Sequence, residues 1–330
     1  MSANVDSMFS VRQMPWHREG VVLNEYPGSW AEARIPAGLE WDPIRERVYK
    51  LVGVDDLGAP RYEAIEGWDH IVHSGTGDTL CAARDSYELI TNTEMGEIIE
   101  AVLAQDSAIK YETAGSLEAG RKVWALALLD EPIELPGDAD TLTLPYLAVT
   151  NRHEPGQGCT LRATAVRIVC ANTFGASELE GNRTGATFTF RHTKNSRDRI
   201  DDAAQAVTGA RRELATYREL ATELLGVSIT EGQRELFVRT FIPTPPDGLI
   251  TDRVMNNIET ARASLRSILS RPTTINVAHT AYGLVQAAGE YLDHARTART
   301  WETRLNRSIL RPEPLKAKAA KLALAVANQS

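Results

Sequence analysis

Ile200 to Gly226 reads IDDAAQAVTGARRELATYRELATELLG, and its residues Ile200, Ala203, Val207, Ala210, Leu214, Tyr217, Ala221 and Leu224 recur at alternating spacings of three and four. That spacing is the a/d stripe of a long helix, and Gly226 supplies its stop. The stripe marks a change of period, because the chain before it alternates like strands while the chain after it repeats like helices. An α+β fold follows: an antiparallel β-meander with a β-β-α unit, then a helical C-terminal region. The small alanine layers admit a neighbouring helix. Arg211, Arg212 and Arg218 fall off the stripe and form a basic flank.

Upstream, Thr187 to Lys194 alternates cleanly and reads as the last strand. Ile109 to Thr113, Lys122 to Leu129, Leu142 to Thr150 and Cys159 to Thr164 are each bounded by Gly, Pro or Asp clusters and read as the meander, with a turn around Gly115 to Gly120. Val166 to Ala171 is too short for its period to separate strand from helix. Before these, Tyr62 to Ile65 and Trp68 to His73 lead through the turn Ser74 to Asp78 into Thr79 to Ala83. Thr93 then offers an N-cap to a helix carrying Ile98, Ile99, Val102 and Leu103, which completes the β-β-α unit. The first sixty residues are rich in Trp, Pro and Gly without sustained periodicity and read as an arm.

Downstream of the stripe, Thr230 and Gln233 form a capping box for a helix through Phe241, and Pro243 to Gly248 is a rigid connector. Further helices are expected at Asp252 to Leu269, His279 to Thr297, Arg299 to Leu310 and Leu315 to Asn328. The expected division is an N-terminal arm at 1–60, an antiparallel α+β core at 61–198, and a helical region at 199–330 that packs on the core or forms a subdomain.

A hydrophobic content of 43% and a charged content of 24% are those of an ordinary globular chain and exclude disordered, collagen-like and disulfide-scaffold classes. Three widely spaced cysteines, Cys81, Cys159 and Cys170, with no C-x-x-C pair, fit reduced thiols. Arg12, Arg18 and Glu19 interrupt the first twenty residues, so no secretory signal is read. The longest apolar run, Val123 to Leu129, is far short of the ~20 residues a spanning helix requires. A cytoplasmic location without membrane contact is expected.

The net charge of -8 conceals an uneven distribution, since residues 1–149 hold 11 Lys+Arg against 26 Asp+Glu. Residues 150–200 hold 8 against 4, and 253–330 hold 12 against 5. Such asymmetry points to a polyanionic partner or to acidic-to-basic contacts between subunits. In the middle basic segment, Arg152, Arg162, Arg167, Asn172, Arg183, Arg191, His192, Lys194, Arg197 and Arg199 are interleaved with few acids. On a strand from Thr187, the period of two puts Phe188, Phe190 and His192 on one face and Arg191 with threonines on the other. Cations that follow phosphates beside aromatics that stack on bases are the equipment of single-strand binders. The alternative is a core pair of phenylalanines with a solvated cationic face.

Other chemistries find less support. Cys159 or Cys170 with His153 and Asn172 would make a thiol hydrolase, yet neither cysteine has a local signature. The spacings of His153, His192 and the cysteines match no structural zinc pattern. Gly75-Thr76-Gly77 lacks the Lys-Ser/Thr of a phosphate loop, and His70 and His73 read as surface histidines beside a turn. No catalytic, metal or cofactor site is read.

Several segments carry a family resemblance: Pro15-Trp16-His17, Ser86 to Asn92, Ala114 to Ala125, Arg167 to Thr173, Arg191-His192-Thr193, Thr280-Ala281-Tyr282-Gly283 and Glu290-Tyr291. Together they resemble the phage/plasmid-like proteins of unknown function linked to lateral gene transfer, over most of the chain. The resemblance implies a mobile-element setting, in which proteins of replication, recombination or defence are common. The order of elements is also similar in architecture to RecT-type single-strand annealing proteins. The expectation is therefore a single-stranded-DNA-binding or annealing protein acting as a homo-oligomer, with Arg152, Arg162, Arg167, Asn172, Arg183, Phe188, Phe190, Arg191, His192, Lys194, Arg197 and Arg199 at the nucleic acid. A phage-encoded structural or protein-interaction protein and a cryptic cysteine hydrolase are the alternatives.

Overall fold

The change of period near residue 200 does separate a strand-rich part from a helical one, and the protein is α+β. The structure, a computed structural model, describes residues 5–12, 20–104, 108–129, 132–138, 142–156, 158–167, 172–174, 187–191, 203–246, 251–296 and 314–329. Two compact units are assembled from interleaved segments. The first takes Met1–Leu128, Ala148–Leu161 and Phe188–Val207; the second takes Leu129–Leu147, Arg162–Thr187 and Thr208–Ser330.

In the first unit, β1 (Val5–Val11) lies between β2 (Val21–Leu23) and β6 (Lys110–Leu117), pairing parallel with β2 and antiparallel with β6. The same sheet continues through β7 (Lys122–Leu128), β8 (Thr143–Arg152) and β9 (Gly158–Arg167), with β11 (Thr187–Arg191) also on β9; Thr143–Leu147 of β8 and Arg162–Arg167 of β9 count with the second unit. The N-terminal segment is therefore a core element and not the expected arm. Met8, Phe9, Ser10 and Val11 are all buried, so both faces of β1 are covered and the strand shows no alternation in its sequence.

A second sheet holds β3 (Pro43–Val54), β4 (Pro60–His73) and β5 (Thr79–Arg84) in that order. The hairpin read at Trp68 to Ala83 is its β4–β5 pair. The expected boundary after residue 60 instead cuts between β3 and β4, which pair from Pro43↔His73 to Val54↔Pro60.

Helix α1 (Trp30–Ala33) and helix α2 (Asn92–Leu103) pack through Trp30, whose ring lies where a Cβ on Gly96 would stand, 1.9 Å from Cδ1. Only glycine lets the indole approach the helix so closely, and Trp30 Nε1 donates to the Asn92 carbonyl at 2.9 Å. The N-cap of α2 is Thr91, with Glu94 completing a capping box. Thr93, the expected cap, instead donates from its hydroxyl and backbone N–H to Asp42.

The second unit holds the helices: α3 (Ala203–Gly226), α4 (Glu231–Phe241), α5 (Asp252–Leu269), α6 (Ala281–Glu290) and α7 (Pro314–Ala327). Here β10 (Asn172–Phe174) pairs with the end of β9. Every residue of α6 is buried. Its Thr280-Ala281-Tyr282-Gly283 start is structural: Thr280 caps the helix, the Tyr282 hydroxyl meets that of Tyr217 at 3.4 Å, and a Cβ on Gly283 would stand 1.9 Å from the Val277 carbonyl oxygen. A single π-helical turn, Tyr291–Ala295, continues α6. It carries Asp293, whose carboxylate accepts from Lys316 Nζ at 2.8 Å with both side chains buried. The helix expected at Arg299 to Leu310 lies outside the described residues.

Candidate functional site

The stripe on α3 decides which side of that helix faces outward. Val207, Ala210, Leu214, Tyr217, Ala221 and Leu224 are all buried, which leaves Arg211, Ala215, Arg218 and Thr222 along one flank at spacings of four, three and four. Within the second unit this flank and the segment Ile133, Pro136 and Pro145 line an open groove of about 780 Å³, with Glu219 at its rim. The opposite wall is set by backbone: Ile133 N–H donates to the Thr143 carbonyl at 2.7 Å and Leu129 N–H to the Pro145 carbonyl at 2.9 Å. Prolines there present ring carbons and no donor.

Arg211 and Arg218 are two turns apart, about 10 Å along the helix. Thr222 donates its hydroxyl to the Arg218 carbonyl at 2.8 Å. Among the described residues no carboxylate lies within ion-pair distance of the exposed Arg218 guanidinium, whereas Arg152, Arg262, Arg266 and Arg271 each hold a glutamate. The groove thus offers positive charge beside apolar surface and is open to solvent. That combination accommodates an anionic, partly apolar chain.

The first unit contains a second polar cluster of a different kind. His153 Nε2 meets Asn92 Oδ1 at 3.0 Å, Asn92 donates to the Trp41 carbonyl at 2.8 Å, and Asn151 donates to the Ile90 carbonyl at 2.8 Å. Trp41 stacks on His73 at 3.7 Å and meets His153 edge-on. His73 Nδ1 accepts from the N–H groups of Gly75 and Thr76, and burial lowers its pKa, so the ring is neutral at pH 7. Asn92, Asn151 and His153 have no exposed surface. They brace the start of α2 against β8, through the Asn92 side chain and the Ile90 carbonyl of the Ser86 to Asn92 segment.

The two described thiols are poor nucleophiles. Burial pushes Cys159 up to about 12 and Cys81 up to about 11, so both stay protonated at neutral pH. Cys170 lies outside the described residues. Among the described residues no group of three His, Cys, Asp or Glu side chains is placed to hold a metal ion, and no helix is long and apolar enough to cross a membrane.

The profile of a family described as "Domain of unknown function (DUF932)" matches residues 80–310. The chain belongs to the DUF932 family. No curated protein and no solved structure matches it. The matched range takes in α2, the meander and the α3 groove, and begins after β3 and β4.

Set on this DUF932 protein, the sequence-derived nucleic-acid residues do not form one described surface. Arg152 is part-buried and bound through its two terminal nitrogens to Glu118 at 3.2 and 2.6 Å, with Glu154 beside it. Arg162 is buried, with its interactions inside the protein. A phosphate would have to displace those partners. Arg167 ends β9, Asn172 begins β10, and Phe188, Phe190 and Arg191 lie on β11; the backbone of each is placed and its side chain is outside the described ones. Arg183, His192, Lys194, Arg197 and Arg199 lie outside the described residues altogether. The groove wall at Ile133 to Pro145 carries no sequence signal beyond its prolines, which read as turn residues. Arg211 and Arg218 are visible in the sequence as the flank of the stripe, but nothing local distinguishes them from other surface arginines.

Proposed function

We propose that this protein binds single-stranded DNA without catalysing a reaction, in the groove along α3, and works as a homo-oligomer in annealing or recombination on a mobile element. Arg218 carries the reading. It is an exposed guanidinium with no ion-pair partner among the described residues, at an open groove whose far wall is apolar. A guanidinium neutralises a phosphate and an apolar wall receives sugars and base faces, while base edges stay free to pair. No cofactor is required. Within the groove Arg218 engages about one phosphate per chain, so tight retention depends on several chains acting on one strand. The cations Arg183, Arg191, Lys194, Arg197 and Arg199 of the sequence are proposed as phosphate contacts separately from this groove. The resemblance to mobile-element proteins agrees with it, and the proposal places the protein in the cytoplasm.

The test is retention of a labelled single-stranded oligonucleotide by the whole chain across a salt series. Retention is expected to fall steeply with salt. Arg218→Glu, at a surface position, is expected to weaken it roughly tenfold and to reduce the salt slope by about 0.7, one phosphate's share. Absent or salt-independent retention would overturn the proposal. A protein-interaction role without DNA is the second reading, favoured by the exposed apolar ribbon of β3 and β4.

A further inference from the structure

Beyond Arg47 and Asp69, β3 and β4 continue as a ribbon of two strands, because β5 pairs only with Trp68 to Val72. The register gives this ribbon two unlike faces. Tyr49↔Ala64, Leu51↔Tyr62 and Val54↔Pro60 lie on one side; Lys50↔Glu63 and Gly53↔Arg61 lie on the other, with an irregularity at Val52. On the charged face Lys50 and Glu63 form an ion pair at 3.2 Å. The apolar face is bare: Tyr49 is 57% exposed, Leu51 63%, Val54 64% and Tyr62 64%.

This is the pattern of a half-buried ribbon whose covering layer is missing. A two-stranded hairpin alone is marginally stable in water, and an apolar face needs a partner layer about 10 Å away. We infer that the partner is a second copy of this chain, docked with the same face of its own β3–β4 ribbon about a two-fold axis.

Charge and area both point to a copy. The face holds no charged residue, so nothing on it selects a foreign partner by charge, and nothing on it repels a copy. The paired charges Lys50, Arg61 and Glu63 sit on the reverse side, while Glu66 and the tip residues Asp55 and Asp56 lie outside the paired apolar residues. The four exposed side chains leave roughly 500 Å² per chain, so two copies face to face would bury on the order of 1,000 Å², the size at which a specific interface begins to hold. An axis through the Leu51↔Tyr62 pair lays the Tyr49 end of one ribbon over the Val54 end of the other, large against small. A two-fold contact of this kind is closed and adds no free edge. The inference supplies an interface for the assembly proposed above and rests on none of the groove's chemistry.

Sedimentation of the whole chain tests it, comparing wild type with Leu51→Asp/Tyr62→Asp. Wild type is expected to sediment as a dimer or an even multiple. The double variant is expected to have half that mass or less, with an unchanged melting transition. A wild type that stays monomeric at the highest attainable concentration, or a variant of unchanged mass, overturns the inference. If the double variant fails to fold, single cysteines replace it: with diamide, Tyr62→Cys should cross-link into a covalent dimer and Glu63→Cys, on the reverse face, should not. Equal cross-linking at the two positions also overturns it. Arg218→Glu should leave the mass unchanged, so loss of oligonucleotide retention and loss of the dimer are separate results.

Discussion

Gly96 shows how one missing atom sets a packing distance. Its place inside α2 costs helix stability of about 1 kcal/mol relative to alanine when considered alone. The contact reverses that preference, because an added Cβ would lie 1.9 Å from Trp30 Cδ1, inside any permissible separation. Gly96→Ala must move the indole, which also holds the Asn92 carbonyl and meets the Tyr111 ring at a tilt, with centroids 6.0 Å apart. Overpacking of this size costs about 1–3 kcal/mol or more, exceeding the helix gain. The expected outcome is a lower urea midpoint with an unchanged slope; an unchanged or raised midpoint would show that the Trp30 contact yields freely. The glycine is evident in the sequence, but its partner is 66 residues away and is not.

At the scale of elements, local rules succeed where a helix end depends only on its own residues. Thr230 and Gln233 form the capping box read from their spacing, and α5 runs from Asp252 to Leu269 as its period requires. They fail where tertiary contacts compete: Asp42 takes the hydroxyl of Thr93, and the cap of α2 moves to Thr91. The π-helical turn after α6 is a further case, since it sets Asp293 against Lys316 of α7 inside the unit. Lys316 is one of three lysines on α7, with Lys318 and Lys321, yet it is 1% exposed. Removing one partner leaves the other charge buried, so Lys316→Met is expected to destabilise the protein by about 3–5 kcal/mol, and the further change Asp293→Leu to recover a good part of that loss. A double-mutant cycle in guanidinium measures both, and a cost for Lys316→Met below about 1 kcal/mol would place the pair in a wet, surface-like setting.

Over the whole molecule, the two compact units do not follow the expected boundaries at residues 60 and 198. The chain leaves the first unit after Leu128, returns at Ala148, leaves again after Leu161, and returns at Phe188 before the final crossing after Val207. No single cut yields either unit intact. A fragment beginning at Ala203 keeps every described helix of the second unit but lacks the groove wall at Ile133 to Pro145, as well as β10. That fragment is expected to retain helical circular dichroism while losing a cooperative thermal transition; a sharp two-state melt of the fragment alone would show that the helices suffice as a domain.

Period, capping and turn chemistry were legible wherever the determining interactions fall within a few residues. They established the α+β class, the meander, the long α3 stripe and its basic flank. Three features depended on residues far apart in the chain: the burial of both faces of β1, the apolar wall opposite Arg218, and the bare face of the β3–β4 ribbon. The physical reason is that an isolated segment records what its side chains prefer, whereas burial, ion pairing and exposure are settled by which distant segments arrive beside it. Arg152 and Arg218 look alike in the sequence, and the tertiary structure gives one a pair of carboxylates and the other an open groove.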